Sequence, residues 1–96
     1  MNIKITESAY TDIETASQFY ELQETNLGIY FQDSIFSDID SLILYAGIHQ
    51  KQFSKYRLLS RKFPYAIYYD FHDNKIVVIA VLDCRRNPKW IKEKLK

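Results

Sequence analysis

Tyr65-Ala66-Ile67-Tyr68-Tyr69-Asp70-Phe71-His72, then Asp73-Asn74, then Lys75-Ile76-Val77-Val78-Ile79-Ala80-Val81-Leu82-Asp83-Cys84, is the stretch that decides the fold. Two runs rich in β-branched and aromatic residues flank a dipeptide whose members both tolerate left-handed backbone, so the spacing predicts a tight antiparallel hairpin. Ile76–Leu82 is apolar at every position, which predicts the central, most buried strand of a sheet. Tyr68, Tyr69 and Phe71 alternate in direction along the first run, so one set of rings enters a core and the other covers the opposite face.

Working outward, Tyr56–Phe63 reads as a further strand, turned back by Phe63-Pro64-Tyr65 with proline presetting its dihedral. Leu58 and Leu59 are adjacent and spoil its alternation; Arg57 and Arg61 are expected on one face of it. A short basic helix is expected from about Pro88. In the other direction, Asn2–Thr6 alternates Ile3 and Ile5 with polar neighbours and predicts a short strand. Thr6 or Ser8 caps a helix carrying Ala9, Ile13, Ala16 and Tyr20 at helical spacing. Thr25-Asn26 breaks the chain. A second helix is expected from about Leu27 to Ala46, with Phe31, Ile35, Ile39, Leu42 and Ala46 as its apolar stripe and Gly47 as the left-handed residue after it. The order β-α-α-β-β-β predicts an α+β fold, an antiparallel helix hairpin packed on a small, mainly antiparallel sheet.

The 96 residues, 47% hydrophobic and 16% aromatic with only 2 Gly and 2 Pro, suit one domain over residues 1–96 with a single small core, and argue against disorder. No window approaches the roughly 18–20 apolar residues of a membrane span. No secretion signal is evident, so a cytoplasmic protein is expected. Cys84 is the single cysteine, which excludes an intramolecular disulfide. No cysteine or histidine spacing resembles a metal site, no glycine-rich loop suggests nucleotide chemistry, and no cofactor is expected. His49 and His72 are expected as surface or turn residues, and Cys84 as a small apolar filler.

Net charge is only +1, but the charges are segregated along the chain. Residues 1–47 carry one cation, Lys4, against eight acids, a net of −7; residues 48–96 carry twelve cations against four acids, a net of +8. Lys51, Lys55, Arg57, Arg61 and Lys62 fall in a stretch with no acid, and six cations from Arg85 to Lys96 face only Glu93. Such a division suits either a basic face for an anionic partner or mutual attraction of the two halves within the fold.

Three runs then carry a resemblance: Arg61-Lys62-Phe63-Pro64-Tyr65-Ala66-Ile67-Tyr68-Tyr69, Ile76-Val77-Val78-Ile79-Ala80-Val81, and Arg85-Arg86-Asn87-Pro88-Lys89-Trp90. With Ala9, Asp12, Ala16, Tyr20, Leu27-Gly28 and Phe31 upstream, the chain resembles the RelE/ParE toxin superfamily over nearly its whole length. The resemblance implies the toxin of a type II toxin–antitoxin, plasmid-stabilisation-type module that arrests growth and is neutralised by a cognate antitoxin. It implies one of two targets, DNA gyrase for ParE-like members or mRNA on the ribosome for RelE-like endoribonucleases.

RNA cleavage requires groups that move protons and cations that stabilise a charged phosphorane. Where RelE-like nucleases commonly place an arginine after the tyrosine of the middle strand, this chain has Ala66. Asp83 stands where many relatives carry a histidine, and the tail aromatic is Trp90, which stacks but transfers no proton. The resemblance therefore points to the ParE-like branch, with a ribonuclease using Arg61, Arg85 and Arg86 or a non-toxic relative as alternatives. Arg57, Arg61, Lys62, Tyr65, Arg85, Arg86 and Trp90 are the candidate contacts to target or antitoxin. Arg85 and Arg86 could instead pair with acids of the helix hairpin. No membrane partner or small-molecule substrate is expected.

Overall fold

The computed structural model describes residues 2–96. Its elements run β1 (Asn2–Ile5), α1 (Glu7–Gln23), α2 (Leu27–Asp40), α3 (Leu42–Tyr45), β2 (Lys51–Gln52), β3 (Lys55–Leu59), β4 (Tyr65–His72), β5 (Lys75–Asp83) and α4 (Pro88–Lys94). The strands form one sheet in the order β1-β5-β4-β3-β2. Only the β1–β5 pair is parallel. The α+β architecture expected from the sequence is present.

Local chemistry explains the element boundaries. Thr6 caps α1, its Oγ1 accepting from Ala9 N at 3.1 Å. The same hydroxyl donates to the Ile79 carbonyl at 3.2 Å, so one residue starts the helix and fastens it to β5. Between α1 and α2 the Glu21 carboxylate reaches forward and accepts from Asn26 N and Gly28 N, both at 2.9 Å. A carboxylate there satisfies amides that the first turn of α2 leaves free. Gly28 is required by close approach: a Cβ would stand 2.6 Å from the Ser17 carbonyl oxygen. Gly47, with φ +93°, supplies the left-handed backbone after α3.

The helix expected to continue to Ala46 is interrupted at Ser41, whose hydroxyl donates to the Asp38 carbonyl at 2.6 Å and competes with the helical ladder. The strand expected over Tyr56–Phe63 stops at Leu59. Phe63 leaves the strand because its ring is better buried elsewhere, with centroids 5.0 Å from those of Tyr20 and Phe31. β2 was not expected, since Phe53 and Ser54 turn its hairpin with φ 55° and 71° and neither is glycine or asparagine. The Asp73-Asn74 turn has the left-handed geometry expected, with φ 51° and 60°.

The middle position belongs to β4 rather than to β5, which the apolar run had favoured. Ala66, Ile67, Tyr68 and Tyr69 are all fully buried, because helices cover both faces. Ile67 and Tyr69 join Ala9, Ile13, Phe31, Ile35, Ile39 and Leu42 of the hairpin and α3 in the main core, and Ala66 and Tyr68 join Ile91 and Leu95 of the tail. β5 passes between the same two layers through a bulge. Tyr69 pairs with Val78 while Tyr68 pairs with Ala80, leaving Ile79 extra. The added residue inverts the alternation, so Val78 below it and Val81 above it both face the hairpin.

Candidate functional site

The upper half of β5 is where the sheet edge changes hands. β1 pairs with β5 only as far as Val78, and beyond it α1 takes the place of a strand. The Asp12 carboxylate of α1 accepts from Val81 N at 3.0 Å, closing an edge amide that no strand reaches. Between α1, the end of β5 and α4 lies a groove of about 480 Å³. Asp12, Thr15 and Phe19 line its α1 wall, Tyr65 and Asp83 its floor, and Arg85, Arg86, Trp90 and Lys94 its far side.

Each basic side chain in the groove is held by a neighbour. Arg85 grips Asp83 with Nη2 to Oδ2 at 2.7 Å and Nε to Oδ1 at 3.0 Å, and its backbone N donates to Oδ1 at 2.9 Å. This bidentate bond and the backbone bond hold the Asp83 carboxyl below its usual range despite partial burial. The bond keeps the arginine charged while leaving its side chain 65% exposed. Arg86 lies with its guanidinium carbon 4.0 Å from the centroid of Trp90, and Lys94 Nζ is 5.5 Å from the same ring, contacts worth about 0.5–1 kcal/mol at exposed sites.

Tyr65 opens β4 directly opposite Asp83. Its ring packs on Phe31 and Tyr20, at 5.0 and 6.3 Å between centroids. Burial, with help from the Tyr20 and Asp83 oxygens and against the pull of Arg85 and Arg86, pushes its phenol up to about 12. The phenol therefore stays protonated at neutral pH and donates rather than abstracts. Burial also raises the Asp12 carboxyl, opposed by the Val81 amide and by Lys94. Neither histidine lines the groove.

Four of the candidate contact residues, Tyr65, Arg85, Arg86 and Trp90, therefore meet in this groove. Arg57, Arg61 and Lys62 do not. Arg57 sits in β3 opposite Tyr68 and lines a cavity with residues 49–52. Arg61 lies past the end of β3, beside α2, and lines a different cleft, so the shared face expected for Arg57 and Arg61 is not found. Lys62 Nζ stands 5.1 Å from the centroid of Tyr30. Arg85 pairs with Asp83, the last residue of β5, and not with an acid of the hairpin. Asp12, Thr15, Phe19 and Lys94 are groove residues that the sequence did not single out as contacts. Asp12 stood in the motif for the helix hairpin, yet nothing in its spacing shows that it faces a sheet edge 69 residues away. Among the described residues no group of three or more His, Cys, Asp and Glu side chains is placed to hold a metal ion. Among the described residues no helix is long and apolar enough to cross a membrane.

No family model matches the sequence, and no curated protein matches it. Among solved structures, the chain superposes on one described as "Chromosomal ParDE TA system from P. aeruginosa" with a TM-score of 0.74 at 15% identity, covering 84% of this chain and 92% of that one. With so few identical residues the likeness speaks for backbone architecture. The fold that the sequence resemblance implied, that of a ParE-like protein, is the fold this chain adopts.

Proposed function

We propose that this chain is the toxin of a type II toxin–antitoxin pair and arrests growth by binding DNA gyrase, without breaking a bond itself. The shared fold with a chain of a ParDE system supports the toxin and an antitoxin partner. The observation that carries the choice of target is the state of the groove. Its tyrosine is held protonated, Arg85 is occupied by Asp83, Arg86 is stacked on Trp90, and no histidine is present. This is a surface of fixed charges and aromatic rings, suited to seating a partner's acidic and apolar side chains.

One observation favours the ribonuclease alternative. Asp12 is a carboxyl whose pKa burial raises, in a groove that also holds two arginines, and such a group can move a proton. Arg61, however, lines a separate cleft, so the three arginines named for that chemistry do not share a site.

Purified chain is expected to inhibit gyrase supercoiling at near-stoichiometric ratios, and Arg86→Ala to weaken inhibition at least tenfold with the melting temperature retained. Absence of inhibition at stoichiometric excess rejects the gyrase reading. Induction without antitoxin then separates the rest: early loss of methionine incorporation assigns translation as the target, early loss of thymidine incorporation assigns replication, and loss of neither leaves a non-toxic antitoxin partner.

A further inference from the structure

The α1–α2 hairpin spans one face of the sheet, whereas on the other face the short α4 packs only on Ala66, Tyr68, Ala80 and Leu82. Below α4 that face is open and basic. Ile3, Tyr56, Phe71 and Ile76 point to the hairpin, so Lys4, Lys55, Arg57 and Lys75 beside them point to the open side. Lys4 pairs with Val77 and Val77 with Asp70, so the cations flank one patch. Asp70, the acid of this patch, is already held by Lys55 Nζ at 3.0 and 3.2 Å. Lys4 and Lys75 are exposed and, among the described residues, have no ion pair. The outer surface of the hairpin is the converse. Residues 5–50 contain no lysine or arginine. Glu7, Glu14, Asp33 and Asp40 are exposed there, and none of them is in an ion pair among the described residues. Tyr10 lies three and four residues from Glu7 and Glu14, and Phe36 the same from Asp33 and Asp40, so each ring is flanked by acids on its own helix. The two rings meet across the helices with centroids 6.3 Å apart, and Tyr10 remains 50% exposed.

We propose that these two surfaces are the halves of one contact, and that the chain stacks head to tail with a second copy of itself, the acidic hairpin of one resting on the open basic sheet face of the next. Three observations favour this occupant. Each copy carries both complementary surfaces, and a net charge of only +1 leaves two copies with almost no overall repulsion to overcome. A helix pair laid on a sheet face is also the packing the chain already uses on its other side. A nucleic acid could cover the basic face but would leave the acids and rings of the hairpin bare. In the stack the lysines meet Glu14 and Asp33, and their ammonium groups lie against the rings of Tyr10 and Phe36. The two surfaces differ, so the contact is heterologous and copies add in a line rather than closing as a pair. None of these residues lines the groove of Tyr65, Arg86 and Trp90, so the target proposed for that groove is not assumed.

The test is sedimentation equilibrium of the full-length chain over a range of concentrations, at about 0.01 M and about 1 M salt, where charges are screened beyond roughly 30 Å and 3 Å. At low salt the average mass is expected to climb with concentration past twice the 11.5 kDa of one chain, and at high salt to return to that of one chain. Glu14→Gln with Asp33→Asn blanks the hairpin surface, and Lys4→Gln with Lys75→Gln blanks the sheet surface. Each double variant is expected to self-associate at least tenfold more weakly at low salt, with its far-UV spectrum and melting temperature retained. An equimolar mixture of the two keeps one intact hairpin surface and one intact sheet surface, and should form a 1:1 dimer with the affinity of the unaltered chain and nothing larger. A chain that stays monomeric at low salt overturns the proposal, as does association that salt does not weaken. A mixture no tighter than either variant alone shows that these are not the two faces in contact, and an unaltered chain that stops at a dimer overturns the head-to-tail arrangement. Gyrase inhibition does not enter this test, so its failure and that of the proposed target are read separately.

Discussion

A single phenol shows how a side chain here carries more than its apolar bulk. Tyr69 is fully buried in the main core, and its OH accepts from Gly47 N at 3.0 Å. The same OH is hydrogen-bonded to His49 Nδ1, and with His49 neutral and protonated at Nε2 the phenol is the donor of that bond. Burial lowers the imidazole below its ordinary 6.5. The native state consequently binds fewer protons than the unfolded chain just below that value, and stability falls as pH drops from 7 through 6.5 and toward the native pKa. His49→Gln, whose amide oxygen still accepts from Tyr69, should show a shallower loss of melting temperature between pH 7 and pH 5; parallel curves would rule out His49 as the titrating group. Nothing in the sequence separated His49 from His72. The former is folded against a core tyrosine and the latter, at the end of β4, is 89% exposed, a difference set by long-range packing.

At the scale of elements, the hairpin of α1 and α2 depends on one close approach. Adding a methyl at Gly28 places it 2.6 Å from the Ser17 carbonyl, which is backbone and cannot swing aside. Gly28→Ala should therefore cost about 1–3 kcal/mol, read as a lower urea midpoint with unchanged slope, whereas an unchanged midpoint would mean that the helices separate freely. The β2–β3 turn is the reverse case. Phe53 and Ser54 occupy left-handed backbone, which costs a residue with a Cβ about 1–2 kcal/mol. Replacing them together, Phe53→Asn with Ser54→Gly, should raise stability by about 1 kcal/mol or more in the same assay, and a fall would show that the Phe53 ring contributes more than its half-exposed position implies. These two sites also mark what sequence can reveal. The Asp73-Asn74 hairpin, the Thr6 cap and the apolar stripes of α1 and α2 were legible because their signals lie within a few residues. β2 was hidden because its turn uses unfavourable residues, and the end of β3 because Phe63 is claimed by rings on two helices. The groove was half legible: the basic tail supplied Arg85, Arg86 and Trp90, while Asp12 required the edge of β5 to be seen.

Across the whole molecule, the layers sort the charges. α1, α2, α3 and the turn between the first two hold every acid of the first 47 residues and no cation, and the strands β2–β5, their loops, α4 and the residues after it hold twelve of the thirteen lysines and arginines. The chain is thus an acidic layer against a basic one, although its net charge is only +1. At its pI of about 7.8 it should be retained at low salt on both anion- and cation-exchange resins and eluted from each by moderate salt, as screening of exposed charge requires; flow through both would show that the two layers neutralise one another. The parallel pairing of β1 with β5 has a further consequence, in time rather than in space. Asn2–Ile5 leave the ribosome well before their partners, Lys75–Val78, and no nearer strand offers them a place in the sheet. They must wait as an unpaired segment while the residues between are synthesised, because the long loop between the partners has to be closed before that pairing stabilises anything. The finished sheet, and with it the groove that β5 and α4 build, can exist only once the chain has been made through α4, so the folded surface arrives in one late step rather than growing strand by strand.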